Sequence, residues 1–326
     1  MTRVNKAIEL IRQHSKFILT THALPDGDGL GAEMALYHFL MGAGKQCRVL
    51  NSHGTAPKFQ CVDPLRKIEV FDSSRGIGEA EVIFVLDTSE WKMLGPLEKP
   101  IRASKAQVVF LDHHIPSDQH GAHFVIDQTC SSTGELVFRL LKLMKSPIDT
   151  SMAIPLYVAL MTDTGSFRYR RTSPGSHLMA AELLEKGVRP DEVYESVYAC
   201  DSVAKTRLLG HLLEAIQISA DGRIAWLSCP KTLRSKYGAT VEDTESFVNQ
   251  LTLMENVEIG ILFREEDSGE IKLSFRGNRG VKVIDIAKRL GGGGHLYAAG
   301  AKLQGSLSEV IGRVVKVVEK ELKRVD

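Results

Sequence analysis

Acidic and histidine side chains fall at four places in this sequence, and each place follows an apolar segment. The four groups are His22, Asp26 and Asp28; Asp87; Asp112, His113 and His114; and Asp163. Carboxylates gathered in one site repel one another, so their ionised state needs bound cations. The pattern therefore predicts a metal site, provided that the fold brings the four places together.

The mixture of imidazole and carboxylate groups indicates which metals would bind. Such ligands suit manganese, and also zinc, iron or cobalt, whereas magnesium normally takes oxygen ligands with few or no histidines. Two cations about 3.5–4 Å apart, bridged by a carboxylate and a hydroxide, would provide a nucleophile and stabilise an in-line displacement at phosphorus. We expect two divalent cations, with Mn²⁺ as the preferred ion, in a phosphoesterase.

A structural role is the alternative for each of these residues taken singly. An aspartate after a strand is commonly a helix N-cap or a turn residue. Four groups that each end an apolar element are harder to explain in this way, and the metal site is the better interpretation.

Short apolar runs alternate with helical patterns in the first half of the chain. Strands are predicted at 16–21, 46–50, 81–86 and 107–111. Continuous apolar runs indicate strands covered by helices on both faces, and the alternation with helices predicts an α/β fold with a mainly parallel sheet. Ligands of such sheets bind outside the carboxyl ends of the strands, so three of the four groups should converge there.

The second half has a different pattern. Residues 173–218 are predicted as successive helices, and strands are predicted at 223–228, 257–263 and 271–275. These strands, a following helix and a last amphipathic helix predict a smaller α+β domain. We divide the chain into a metal-binding phosphoesterase domain at 1–190, a helical connector at 191–218 and a substrate-binding domain at 219–326.

A glycine run in the second domain could contact a ligand. Gly291 to Gly294 precede His295, and four glycines allow a backbone to approach an anion closely. A glycine run is more often only a flexible turn. The interpretation of this run as a ligand contact is strengthened by Arg276, which ends a predicted strand with a guanidinium suited to phosphate.

Composition and charge exclude several functions. The 326 residues include 41 basic and 40 acidic side chains, a balance that argues against a surface for long duplex nucleic acid. Five cysteines without a C-x-x-C pair indicate a reducing cytoplasm rather than a disulfide framework. No run approaches the ~18 apolar residues of a membrane span. The oligomeric state stays open, with a homodimer as one option.

In their order along the chain, the four groups resemble the motifs of the DHH phosphoesterase superfamily. The matching segments are H-x-x-x-D-x-D, a strand-terminal Asp, D-H-H and T-D-T-G-S-F. The segments S-F-R and G-G-G-G-H-x-x-A-A-G resemble the DHH-associated domain of that superfamily, which binds nucleotides. The short two-domain architecture is similar to the nano-RNase and 3′-phosphoadenosine-5′-phosphate (pAp) phosphatase group, the NrnA-like proteins.

The resemblance implies a role for each site residue. One metal ion would be held by His22, Asp26 and Asp87. The other would be held by Asp28, Asp87, His113 and Asp163, with Asp87 as the bridge. His114 would polarise the scissile phosphate or act as an acid, and Asp112 would orient a histidine. The distal phosphate and sugar of the substrate would be bound by Arg276, Gly293, Gly294 and His295.

The expected activity is hydrolysis of short RNA, of about two to five nucleotides, and of pAp by metal-activated hydroxide. Only 6% of residues are aromatic, which disfavours a groove that binds long single-stranded nucleic acid by stacking. One alternative is a related phosphodiesterase that acts on linear dinucleotides or on ssDNA ends, as RecJ exonucleases do. A second alternative is a catalytically silent nucleotide-binding module. Because every expected ligand is present, the silent module is the least favoured.

Overall fold

The computed structural model describes residues 4–114, 122–294 and 296–322. The chain divides into two compact units, residues 1–200 and 201–326. The helices of the predicted connector at 191–218 fall on both sides of this division. The domain boundaries drawn from the sequence stay a prediction.

The first unit is built from seven helices and six strands among the described residues. They are α1 (Val4–Gln13), β1 (Lys16–Thr20), α2 (Gly27–Gly42), β2 (Gln46–Asn51), β3 (Ile68–Val70), β4 (Val82–Leu86), α3 (Glu98–Ala103), β5 (Gln107–Asp112), β6 (His123–Ile126), α4 (Thr133–Leu143), α5 (Thr150–Asp163), α6 (Pro174–Glu185) and α7 (Pro190–Tyr198). The strands form one sheet in the order β3-β2-β1-β4-β5-β6. Every pair in this sheet is parallel.

Both faces of the first sheet are buried, which confirms the predicted α/β class. In β4, Val82, Phe84 and Leu86 point into a core that includes α2, α4 and α5. Ile83 and Val85 point into a second core, which contains α3 and the 3₁₀ segment Trp91–Leu97. Because the side chains on both faces of β4 are buried, the strand is apolar throughout its length.

The second unit has five helices and six strands among its described residues. They are α8 (Val203–Glu214), β7 (Gln217–Ile218), β8 (Ile224–Cys229), α9 (Lys231–Tyr237), α10 (Val248–Leu251), β9 (Ile259–Glu265), β10 (Ile271–Gly277), α11 (Ile284–Arg289), β11 (Gly293–Gly294), β12 (Ala298–Leu303) and α12 (Leu307–Leu322). The order in the sheet is β11-β12-β10-β9-β8-β7. Only β8 and β9 pair in parallel among these neighbours, so the sheet is mixed.

Strands β9 and β10 overlap the strands predicted at 257–263 and 271–275, and they pair antiparallel. Strand β12 has no counterpart in the sequence-based prediction: its sequence, AAGAKL, lacks the β-branched and aromatic residues that mark strands. Among the described helices of the chain, none combines the length and apolar character that a membrane crossing requires.

Candidate metal centre

The carboxyl ends of β1, β4 and β5 bring three of the predicted groups together. These strands are neighbours in the parallel sheet. His22 follows β1, Asp87 follows β4, and Asp112 is the last residue of β5. Asp163, at the end of α5, joins them from a helix that packs against α2. The predicted convergence is therefore present in the fold.

The first cluster consists of His22, Asp26 and Asp87, whose nearest ligand atoms all lie within 4.8 Å of one another. Nε2 of His22 is 3.8 Å from Oδ1 of Asp26 and 3.6 Å from Oδ2 of Asp87. Asp26 also N-caps α2, because its side chain accepts the N–H groups of Asp28 and Gly29 at 3.0 and 3.1 Å. The Asp26 carboxylate thus caps α2 and also faces His22 in the cluster.

The second cluster consists of Asp28, His113 and Asp163, and it meets the same limit of 4.8 Å. Nε2 of His113 is 3.4 Å from Oδ2 of Asp163 and 3.7 Å from Oδ2 of Asp28. It is also 3.8 Å from Oδ1 of Asp87. The two oxygens of Asp87 therefore face different clusters, Oδ2 toward His22 and Oδ1 toward His113.

The donor atoms fit divalent cations. Nε2 of His113 is fully buried and has no hydrogen-bond partner among the described residues, which is costly for a polar atom unless a ligand satisfies it. Ligand atoms at about 2.1 Å from an ion lie roughly 3 to 3.5 Å from one another. The spacing around His113 is near that range, so the residues present suit the group that the sequence predicts.

Burial and mutual repulsion perturb the carboxyl groups in the protein without metal. Burial, with the charges of neighbouring aspartates, raises the pKa of Asp28 and of Asp87 well above its usual range. The same causes raise the pKa of Asp163 to about 6. Bound cations would reverse this preference for the protonated form.

The pKa values of His113 and His22 shift in opposite directions. Burial lowers the pKa of His113 to about 3, with the nearby charges of His114 and Arg171 acting in the same direction. Burial also acts to lower the pKa of His22, but the hydrogen bond and charge of Asp26, together with the charges of Glu33 and Asp28, outweigh burial and raise that pKa. His113 is therefore held neutral, the form that binds a metal ion.

The carboxylate of Asp112 contacts the ring of His114, whereas the ring of His113 has a different partner. Oδ1 of Asp112 accepts the backbone N–H groups of His113 and His114 at 2.7 and 3.1 Å, and it lies 2.8 Å from Nδ1 of the His114 ring. Nδ1 of His113 instead lies 3.3 Å from the carbonyl oxygen of Cys130. The Asp112 side chain is completely buried, whereas that of His114 is 32% exposed. Asp112 can therefore fix the orientation of a ring that reaches solvent.

Two contributors to the site were missed in the sequence. The N–H groups of Thr133 and Gly134, at the start of α4, donate to the two oxygens of Asp28 at 2.7 and 2.8 Å, and Oγ1 of Thr133 donates to Asp87 at 3.1 Å. Nη2 of Arg171 donates to the carbonyl oxygen of His113 at 3.1 Å. Ser132 is the N-cap of α4, but its residue type carries no signal that these N–H groups face carboxylates.

Strained backbone accompanies the site. Asp87 has a φ of 58°, and Ser166 and Phe167, which follow Asp163, have φ values of 58° and 66°. Left-handed conformations are uncommon for residues other than glycine and concentrate at functional sites. The turn after β4 therefore places the Asp87 carboxylate where it faces both His22 and His113, at some conformational cost.

The predicted substrate-binding residues belong to the second unit. Nε of Arg276 donates to Oδ1 of Asn249 at 3.0 Å, and Nη1 donates to the carbonyl oxygen of Phe275 at 3.0 Å. Gly293 and Gly294 form β11 and pair with β12. His295 lies outside the described residues. The assignment of these four residues to substrate stays a prediction.

Comparison with known proteins agrees with this architecture. Residues 16–160 match the DHH family, N-terminal domain, and residues 225–324 match the DHHA1 domain. The bifunctional oligoribonuclease and PAP phosphatase NrnA of Thermus thermophilus is 29% identical over 99% of this chain and 94% of its own length. The protein of the same name from Bacillus subtilis is 25% identical over 90% of this chain and 92% of its own length.

The fold has a close counterpart among solved structures. An exopolyphosphatase-related protein from Bacteroides fragilis superposes with a TM-score of 0.92, at 29% identity, and the match covers 99% of this chain and 96% of that one. The two family matches fall in successive parts of the sequence, the first over the strands that carry the aspartates and histidines. The chain therefore contains a DHH domain followed by a DHHA1 domain, and it is a hydrolase that acts on phosphoester bonds.

Proposed function

We propose that this protein is a two-metal-dependent phosphoesterase that hydrolyses short oligoribonucleotides and pAp. The observation that carries the proposal is the position of Asp87, whose two oxygens face two separate groups of ligand atoms. A carboxylate in that position can bridge two cations. The relatives named as oligoribonuclease and PAP phosphatase support the choice of substrate.

Each ligand has a proposed ion. His22, Asp26 and Asp87 would hold one, and the other would be held by Asp28, Asp87, His113 and Asp163. The mixed imidazole and carboxylate set favours Mn²⁺. When bound, the two cations would supply a nucleophile at neutral pH and neutralise charge on the phosphate.

His114 is proposed to move a proton during the reaction. Oδ1 of Asp112 lies 2.8 Å from Nδ1 of its ring, so the carboxylate fixes the ring and favours a proton on that nitrogen. With the ring held in this way, its other nitrogen, Nε2, can exchange a proton with a phosphate or leaving-group oxygen. Asp112 thus acts through His114 as a positioning residue.

The second unit is proposed to bind the part of the substrate that does not react. Arg276 carries this role because its guanidinium can pair with a phosphate. Asn249 holds Nε of Arg276 at 3.0 Å, which limits the orientations of the guanidinium. Gly293, Gly294 and His295 complete the proposed set.

The test compares specificity constants over a panel of substrates. The purified chain with Mn²⁺ is incubated with pAp, labelled RNAs of about two to five nucleotides, a linear dinucleotide, longer RNA and ssDNA. We expect the highest kcat/KM for pAp and the short RNAs, and complete loss of turnover with a chelator. A preference for ssDNA ends or linear dinucleotides would favour the related phosphodiesterase instead. Metal binding without turnover of any substrate would indicate a silent binding module.

A further inference from the structure

Two lysines lie on the strand that carries Arg276 and on its neighbour in the sheet. Alternate residues of β10 are buried in the core, and Lys272 and Arg276 both belong to the other face of the strand. In the antiparallel register, Lys272 is directly opposite Lys302 of β12. The two lysines therefore lie side by side, about 14 Å along the strand from Arg276.

Both lysines line a cavity of about 380 Å³. The lining also includes Gly291, Gly292 and Gly300. A Cβ atom at Gly292 would overlap the carbonyl oxygen of Gly300, so this part of the wall has to be bare backbone. Close packing of the glycine run against β12 thus shapes one wall, and lysine side chains contribute another.

The polar side chains in the lining of this cavity belong to the two lysines, and Nζ of Lys272 also donates to Glu245 at 3.1 Å. The N–H groups of Gly291 and Gly292 donate to the carbonyl oxygens of Lys288 and Ala287 at 3.0 and 2.8 Å. These two glycines therefore do not offer N–H groups to an anion, as the glycine run by itself suggested. An ammonium group carries three donors and a full charge, which suits a phosphate.

The local balance of charge is positive. Lys272 pairs with Glu245 at 3.1 Å, and Glu245 also pairs with Arg264 at 3.2 Å. Arg264 in turn pairs with Glu266 at 2.7 Å. With Lys302 included, three cations stand against two carboxylates among these side chains. An anion in the cavity would meet an excess of positive charge.

We propose that this cavity is a second phosphate subsite, which binds a backbone phosphodiester of RNA beyond the nucleotide held at Arg276. The inference rests on the proposed function, because it takes short RNA as the substrate. Two ammonium groups neutralise a backbone phosphate without reading the base, so the subsite is independent of sequence. It contributes to oligonucleotides long enough to reach it, and it contributes nothing to pAp, which has a single nucleoside.

The experiment uses the full chain with Mn²⁺ and compares Lys272→Ala/Lys302→Ala with a control of equal charge change, Lys316→Ala/Lys320→Ala, on the exposed side of α12. We expect kcat/KM for an RNA pentamer to fall about 10-fold in the cavity variant, and kcat/KM for pAp to change less than about 2-fold. The slope of log(kcat/KM) against log[salt] for the pentamer should become shallower by about 0.7 for each phosphate that the variant no longer neutralises.

A binding measurement separates this inference from the proposed function. Fluorescence anisotropy of a labelled RNA pentamer is recorded with metal-free wild-type protein and both variants. Weaker binding in the cavity variant alone supports the subsite, even if the pentamer is not hydrolysed and the proposed function fails. Equal losses for pentamer and pAp, an unchanged salt slope, or a pentamer affinity equal to that of the control would overturn it. Lys302→Arg, which keeps the charge, should restore most of the activity lost in Lys302→Ala.

Discussion

The backbone N–H of Thr133 donates a 2.7 Å hydrogen bond to Oδ2 of Asp28, across 105 positions of sequence. The next N–H, that of Gly134, donates to Oδ1 at 2.8 Å. The start of α4 therefore holds both oxygens of a carboxylate that also faces His113. These donors favour the ionised form of Asp28, but burial and the charges of Asp87 and Asp163 still keep its pKa well above the usual range. Bound cations would therefore stabilise the ionised carboxylates of this site.

Asp87→Asn should abolish turnover and remove at least one metal ion. Asparagine keeps the shape of the side chain and an oxygen for Thr133, but it removes the bridging charge. The melting temperature of the metal-free protein should not fall, because one of several repelling carboxylates is gone. Metal content by mass spectrometry, activity and thermal melting are measured together, with the exposed Asp191→Asn as control. Two retained ions and a near-normal rate would contradict the bridge.

His114→Ala should lower kcat about 10²–10⁴-fold and leave metal occupancy unchanged, because the ring is assigned to proton transfer. Asp112→Asn should give a smaller loss, since Asp112 acts through that ring. The double variant should be no slower than His114→Ala alone, because the two residues act as a unit. Steady-state kinetics and metal analysis test this prediction. Loss of metal from His114→Ala would make His114 a ligand instead.

Metal affinity should rise with pH between about 5.5 and 7.5. The raised pKa of Asp163, about 6, and the raised pKa values of Asp28, Asp87 and His22 mean that metal binding must displace protons at the lower pH. His113 contributes little to this dependence, because its pKa of about 3 leaves it neutral throughout the window.

Isothermal titration with Mn²⁺ in buffers of different ionisation enthalpy measures both affinity and proton release. We expect at least about 10-fold tighter binding over that range, with fewer protons released as the pH rises. An affinity independent of pH, without proton release, would show that the carboxyl groups are already ionised in the metal-free protein.

Arg276→Ala should reduce kcat/KM for pAp and short RNA roughly 10- to 100-fold, as expected for the loss of a charged hydrogen bond. Turnover of p-nitrophenyl phosphate or its bis-ester should change far less, because these esters lack the remote group. Part of the loss should appear in kcat, since remote binding energy also positions the reacting phosphate. Asn249→Ala should show a weaker form of the same pattern, and Arg313→Ala should not. Equal losses for natural and minimal substrates would exclude a substrate-binding role.

Gly31→Ala should destabilise the first unit by about 1–3 kcal/mol. A Cβ at Gly31 in α2 would overlap the carbonyl oxygen of Pro155 in α5, where the two helices pack closely. Gly42→Ala, at the exposed end of the same helix, meets no atom within 4 Å and should stabilise by up to about 1 kcal/mol. Chemical denaturation measures both variants. A Gly31→Ala variant as stable as the wild type would mean that the helices can separate without cost.

Local patterns were sufficient where the local environment is uniform. The runs KFILTT, EVIFVL and QVVFL predicted β1, β4 and β5 to within one residue, because strands buried on both faces are apolar throughout. The N-terminus of α4 is less regular: Ser132 accepts the N–H of Glu135 at 3.0 Å, but the Glu135 carboxylate accepts from Ser131 and not from the backbone of Ser132. Which partner a side chain takes depends on neighbours that the local sequence does not specify.

The sequence by itself determined which side chains could bind metal and that parallel strands would deliver them to one edge, because strand-end positions follow from apolar runs. Only the tertiary structure decided that Asp87 faces His22 with one oxygen and His113 with the other, and that Asp112 orients His114. It also decided that N–H groups at the start of α4 donate to Asp28. Likewise, it decided that β12 pairs with β10, the strand of Arg276, although AAGAKL has weak strand propensity. Apart from the contact of Asp112 with His114, these relationships join residues far apart in sequence. They depend on strand order, backbone strain and packing that no local pattern encodes.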